Sequence, residues 1–139
     1  MKIKVYDRLP DYARRIREKV FGEEQGFQNE FDEIDDKAAH VVAFCEDGLP
    51  MATCRVFWDE KKNTYIIGRL AVLKEYRGQS VGSELLKETE KYIVEQGGRE
   101  AALHAQCRAS KFYQKLGFCK YGNVEDDEGC PHIWMRKQL

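Results

Sequence analysis

Arg77-Gly78-Gln79-Ser80-Val81-Gly82 is the stretch on which the fold turns, because it joins an apolar strand-like run to a long amphipathic helix pattern. The run before it, Tyr65 to Leu73, is rich in β-branched and apolar residues, as a buried strand should be. After it, Val81, Leu85, Thr89, Tyr92 and Ile93 recur at three- and four-residue steps, with Glu84, Lys87, Glu88, Glu90 and Lys91 as a wet face. Gly97-Gly98 ends this helix. Such a strand–turn–helix points unpaired backbone N–H groups at one place, where the helix dipole also favours negative charge. Gly78 and Gly82 allow a sharp bend and close approach of a ligand oxygen, and Arg77 can add a cation. From the turn alone, a pyrophosphate cradle and an ordinary strand-to-helix turn fit equally well.

Spacing removes two other phosphate loops. A Walker loop has four residues between its glycines and then Gly-Lys-Ser/Thr, whereas three residues separate Gly78 from Gly82. A dinucleotide fingerprint needs Gly-x-Gly-x-x-Gly opening a parallel βαβ unit, and neither the spacing nor the setting is present.

Working outward, 139 residues make one domain, 1–139, and an apolar content of 42% supports a globular fold. A net charge of −1 gives no general attraction to nucleic acid or to an anionic membrane. No apolar run is long enough to span a bilayer, and the N-terminus alternates like a strand, so a cytoplasmic location is expected. Five cysteines, Cys45, Cys54, Cys107, Cys119 and Cys130, are scattered without metal-site or disulfide spacing, so reduced thiols and no metal are expected.

Residues 2–7 read as a strand, and Pro10 opens a helix to about Phe21 with Tyr12, Ile16, Val20 and Phe21 inward. Residues 22–37 read as irregular. Asp47-Gly48 signals a hairpin between 40–45 and 52–58, and Lys61-Lys62-Asn63 turns into the strand before the glycine turn. A strand at 101–105 should lie parallel to the one at 65–73, since a helix crosses over between them. A short helix around Ala109 to Leu116 closes at Gly117, and strands at 118–121 and 133–136 flank a polar loop, Asn123 to Gly129. The expected fold class is α+β, a mixed sheet with helices on both faces.

In order and spacing, the strand at 65–73, Tyr76-Arg77-Gly78-Gln79, the helix from Val81 and Ala109-x-x-Phe112-Tyr113-x-x-x-Gly117-Phe118 resemble the GNAT superfamily of acyl-CoA N-acyltransferases. Phe21-Gly22-Glu23-Glu24-Gln25, Asp35-Asp36 ahead of His40, Leu103-His104-Ala105-Gln106 and Gly129-Cys130-Pro131-His132-Ile133-x-Met135 resemble its ElaA-like branch. The resemblance spans the whole chain. It implies a twisted, mostly antiparallel mixed sheet with a splayed parallel strand pair. It also implies that Arg77, Gly78, Gln79, Ser80, Val81, Gly82 and Ser83 hold the pyrophosphate of acetyl-CoA, while the pantetheine arm pairs with the free strand edge at Leu70, Ala71 and Val72. Tyr113 matches the family's tyrosine near the cofactor sulfur. Two positions depart from the pattern: Ser80 stands where a glycine is usual, and Gln106, assigned to cofactor binding, stands where relatives often have asparagine.

Acylating an amine with a thioester needs a neutral amine, a stabilised oxyanion and a proton for the leaving thiolate. An alkylamine has a pKa of about 10.4 and must lose a proton first. The family often carries a glutamate on the strand before the turn, but residues 65–73 contain no acid, which leaves Glu24, His104 and His132 as candidate bases. An isolated strand histidine is more often structural than catalytic. Tyr113 can protonate the thiolate or serve only as packing, and a backbone N–H near Val72 is the implied oxyanion donor. Seven acids between Glu23 and Asp36 (Glu23, Glu24, Glu30, Asp32, Glu33, Asp35 and Asp36) invite a cationic acceptor, although such loops are mostly solvated surface.

The expected activity is N-acetyl transfer from acetyl-CoA to a primary amine in a ternary complex. The alternative is a non-catalytic acyl-CoA-binding or regulatory module. A strand edge at Ile133-Trp134-Met135 is expected to be open to a homodimer contact.

Overall fold

Seven strands form one sheet in the order β1-β2-β3-β4-β5-β7-β6, in a computed structural model that describes residues 1–28 and 31–139. The strands are β1 Lys2–Tyr6, β2 Ala39–Phe44, β3 Pro50–Asp59, β4 Thr64–Val72, β5 Glu100–Gln106, β6 Cys119–Asp127 and β7 Cys130–Gln138. Every neighbouring pair is antiparallel except β4 and β5, which are parallel and joined through helix α3, Val81–Glu95.

Side-chain alternation on β2 explains the two layers. Val41 and Ala43 enter the main core with Leu85, Leu86 and Ile93 of α3, whereas Val42 and Phe44 pack with Ala13 of helix α1, Asp11–Arg17, on the other face. Two short helices, α2 Ile34–Lys37 and α4 Ser110–Lys115, complete the α+β fold. Both α3 and α4 end in Schellman motifs: Gly98 N–H donates to Ile93 O and Gly97 N–H to Val94 O, and Phe118 and Gly117 repeat this on Tyr113 and Gln114. Gly97 and Gly117 have φ of +90° and +98°, the left-handed conformation that this cap requires.

Several expectations need correction. The first helix does not stop at Phe21: it continues as a π-helix, Glu18–Glu24, with Gln25 N–H donating to Val20 O at 3.2 Å. Tyr12 is 46% exposed, leaning edge-on against Phe44 instead of entering the core. Residues 34–37 are helical, within the stretch read as irregular.

The segment read as a polar loop, 123–129, is mostly strand, and only Glu128 and Gly129, at φ +51° and +81°, turn the β6–β7 hairpin. β6 lies at the sheet border and is exposed along nearly its whole length, so no apolar alternation marked it. β7 is paired on both sides, by β5 and by β6, so Ile133-Trp134-Met135 is not an open edge. Glu30 lies outside the described residues.

Candidate functional site

β4 and β5 are paired only at Tyr65↔Ala101 and Ile66↔Ala102, and then diverge. From Ile67 to Val72 the side of β4 that faces β5 has no strand partner, and a cleft of about 740 Å³ opens between the strands. Its first wall includes Leu70, Ala71 and Val72; its second includes His104 and Gln106; Tyr113 of α4 and Phe21 and Phe27 also line it. On its far side β4 is bulged: Thr53 pairs with Ala71 and Arg55 with Gly68, so Arg69 and Leu70 together face one residue of β3. Arg69 takes φ +52°, which redirects the backbone at the point where the two strands part. A lone glycine inside a strand pattern, Gly68, is the sequence signal that could have found this bulge.

The turn that opens α3 carries its geometry in the backbone. Gly78 and Ser80 both have positive φ, +77° and +63°. Ser80 thus sits in the left-handed region that favours glycine, and its hydroxyl makes no capping bond to the helix. The first helical bond is Glu84 N–H to Ser80 O at 3.1 Å, so the N–H groups of Val81, Gly82 and Ser83 have no acceptor within the helix. A Cβ on Gly82 would stand 3.3 Å from Phe112 Cζ and 3.6 Å from Val72 Cγ2, so a side chain here would fill the cradle. The open N–H groups of the first helical turn around a glycine floor suit an anionic group of the size of a pyrophosphate.

Arg77, Gly78, Ser80, Val81, Gly82 and Ser83 line the cleft, but Gln79 does not: its amide donates to Glu75 O at 3.2 Å on the exposed side of the turn. The Arg77 guanidinium is directed back onto the protein, donating to Val72 O at 2.9 Å and to Glu24 Oε1 at 3.0 Å. Glu24 is therefore a rim residue bound to Arg77, and it does not line the cleft.

Tyr113 is 9% exposed, and burial, then the nearby Cys54 thiol, holds its phenol well above the ordinary tyrosine range. It stays a protonated hydroxyl at neutral pH. Burial pushes Cys54 itself up to about 12; its Sγ lies 3.3 Å from Thr89 Oγ1, whose own hydroxyl donates to Leu85 O. That thiol is inert core. His104 is lowered from its ordinary value, by burial first and then by His132, which leaves its imidazole neutral near pH 7.

Gln106 ends β5 and caps the helical turn, Cys107–Ala109, that leads into α4. Its Nε2 donates to Gln25 Oε1 at 2.8 Å, and its Oε1 accepts from Arg108 Nε at 2.8 Å, tying the π-helix to the second wall. Gln25 and Phe112, both cleft-lining, were not assigned to the site from the sequence.

Two acids of the stretch, Asp32 and Asp35, are committed to arginines. Asp35 accepts two bonds from Arg17, at 2.7 and 3.1 Å, and one from Arg55 at 3.0 Å. Asp32 accepts from Arg55 at 2.6 and 3.2 Å and from Arg69 at 3.4 Å. These carboxylates fix the segment and the β4 bulge, and are not free to receive a cationic ligand. Among the described residues no group of three or more His, Cys, Asp or Glu could hold a metal ion, and no helix is long and apolar enough to cross a membrane.

A sheet split between two parallel strands, beside a glycine-bearing helix N-terminus, defines an acyl-CoA N-acyltransferase architecture. The family model described as "Acetyltransferase (GNAT) domain" matches residues 10–139, and the chain belongs to the GNAT acetyltransferase family. It is 34% identical to the uncharacterized N-acetyltransferase YjcF of Bacillus subtilis (strain 168) over 126 residues, 88% of this chain and 87% of YjcF. It is 29% identical to protein ElaA of Escherichia coli (strain K12) over 110 residues, 78% of this chain and 71% of ElaA. The crystal structure of Escherichia coli ElaA superposes with a TM-score of 0.85 over 99% of each chain. The crystal structure of an aminoglycoside 6'-N-acetyltransferase complexed with coenzyme A shares the fold, with a TM-score of 0.77 at 18% identity, over 99% of this chain and 97% of that one.

Proposed function

We propose that this protein is an N-acetyltransferase that moves an acetyl group from acetyl-CoA to a primary amine of a small molecule or peptide, by direct transfer in a ternary complex. The observation that carries this reading is the continuity of one cleft, from the glycine turn at the head of α3, along the unpaired side of β4, to Tyr113.

The residues present fit acetyl-CoA, which supplies an activated thioester when bound. The N–H groups of residues 78–83 would hold the pyrophosphate, and the unpaired side of β4 at Leu70 to Val72 would receive the amide-bearing arm as an added strand. A main-chain N–H beside the bulge would face the oxyanion. Tyr113, held neutral by its burial, would give a proton to the departing sulfur, and neutral His104 would take one from the incoming ammonium. Holding amine and thioester together contributes more than either proton transfer.

The test is isothermal titration with acetyl-CoA, followed by an amine screen read by thiol release. Arg77→Ala with Gly82→Trp should abolish binding. Tyr113→Phe should keep binding and lower kcat by about 10²-fold or more. Failure of acetyl-CoA and other short acyl-CoAs to bind would sink the assignment. The absence of a carboxylate from β4 favours a second reading, a module that binds acyl-CoA without turnover, and binding with no thiol release from any amine would select it.

A further inference from the structure

His104 on β5, Trp134 and His132 on β7, and Glu125 on β6 share one face of the sheet, since His104↔Trp134, Gln106↔His132 and Glu125↔His132 are cross-strand partners. This grouping depends on an irregularity. β6 spends four residue steps between Tyr121 and Glu125 while β7 spends two between Trp134 and His132. Regular pairing would set Asn123 opposite His132. The two extra residues, with Gly122 at φ +78°, bring a carboxylate there instead.

Glu125 reaches past His132 to His104, and its Oε1 lies 3.1 Å from His104 Nε2. That nitrogen is sealed from solvent and is not aligned for a full hydrogen bond, whereas Nδ1 has no hydrogen-bond partner among the described residues. The Glu125 side chain is 59% exposed. The His104 ring is stacked on Trp134 at 4.7 Å and 21°, with the His132 ring 5.0 Å away. His132 is itself fixed by Nδ1 donating to Cys130 O at 2.8 Å.

We propose that Glu125 is a positioning residue for His104: its carboxylate keeps the ring proton on Nε2 and leaves Nδ1 as the atom that takes a proton from the ammonium group of the acceptor. The inference rests on the acyl-transfer reading above. In that step the ammonium N–H bond breaks and its proton goes to Nδ1. The freed nitrogen pair then bonds to the acyl carbon, the C–S bond breaks as the sulfur takes the Tyr113 proton, and the nitrogen's second proton leaves to water, which gives the neutral amide. His104 and Tyr113 recover their starting states by proton exchange with water. The logic is that of any imidazole base whose tautomer is set by a carboxylate on its other nitrogen.

The groups that set the charge of His104 are His132 on β7, which disfavours its protonation, and Glu125 and Asp127 on β6, which favour it. Lys62 caps Trp134 with its Nζ 4.1 Å from the ring centroid. Glu125→Gln removes a charge that favours protonation, so the His104 titration must move to lower pH.

The experiment is imidazole NMR titration of the full chain saturated with acetyl-CoA, comparing wild type with Glu125→Gln and Glu125→Asp, beside thiol-release kinetics with the amine from the screen. Support consists of an Nε2–H tautomer in wild type, a His104 titration moved down in Glu125→Gln, and an acid limb of kcat that moves with it. kcat should fall roughly tenfold to a hundredfold with KM for acetyl-CoA unchanged, and Glu125→Asp should restore part of it. A His104 titration and tautomer indifferent to Glu125→Gln overturn the proposal, as does a kcat loss with an unmoved pH profile. Glu125-dependent titration without amine-dependent thiol release overturns the acyl-transfer reading, and the base assignment with it.

Discussion

Asp35→Asn tests whether the acidic segment is held by charge. Asp35 is 5% exposed, and burial alone would raise its carboxyl, but the bonds and charge of Arg17, with Arg55 and the Asp32 N–H, hold it at about 2 against an ordinary 3.8. A folded value below the unfolded one means that the contribution is complete above about pH 4 and is lost as pH falls toward 2. At 1.36 kcal/mol per unit, the difference is worth about 2 kcal/mol at pH 7, of which about 1 kcal/mol is gone at pH 3. The amide also takes a counter-charge from two buried guanidiniums, so the cost at pH 7 is about 3–5 kcal/mol. A domain of this size is typically stable by about 5–15 kcal/mol, so the variant should still fold. Urea unfolding followed by circular dichroism, for both proteins at pH 7, 5, 4 and 3, gives the gap directly. It should shrink by about 1 kcal/mol between pH 7 and pH 3. A gap below about 1 kcal/mol at pH 7, or one that does not change with pH, refutes the reasoning.

Ser80→Gly relieves a left-handed conformation that costs about 1–2 kcal/mol, against about 0.5–1 kcal/mol of glycine entropy, so it should raise Tm by a few degrees in a thermal melt. No rise would show that the turn is unstrained. Gly98→Ala puts a Cβ against the Ile93 side chain and 2.7 Å from Tyr65 Cδ2, and should lose about 1–3 kcal/mol in the same urea assay. His40 is lowered from its ordinary 6.5 by burial, with its Nε2 donating to Asp35 O at 2.9 Å. The unfolded chain therefore binds this proton first, and stability should decline as pH falls below about 6.5, a slope that His40→Gln should flatten.

What could be read from the sequence followed from signals local to a few residues. The β2–β3 hairpin, the α3 pattern and its glycine stop are each written in contiguous residues, and the parallel pairing of β4 with β5 follows from the helix between them. The turn at 77–83 was visible as two glycines, but the strain at Ser80 was not, because a serine carries no mark of its φ. The π-helix escaped because one helical bonding pattern replaces another without a change of composition. The Asp35–Arg17–Arg55 cluster escaped because its members lie 18 and 20 positions apart, and pairing at that range is set by packing. Glu125 stood in what read as a solvated loop, and only the irregular step in β6 brings it to His104.

The parting of β4 from β5 places an unsatisfied sheet edge in the middle of seven strands instead of at their border. Open edges normally invite other chains to add on. Here the opposite wall, the α3 turn and the π-helix enclose the opening, so a slender chain can lie along it while a second protein's strand, with side chains on both faces, meets the walls first. The molecule thus keeps the hydrogen-bonding appetite of an edge without its usual hazard of aggregation. Widening the parting, for instance by truncating Phe112 or Phe27, would trade that protection for access.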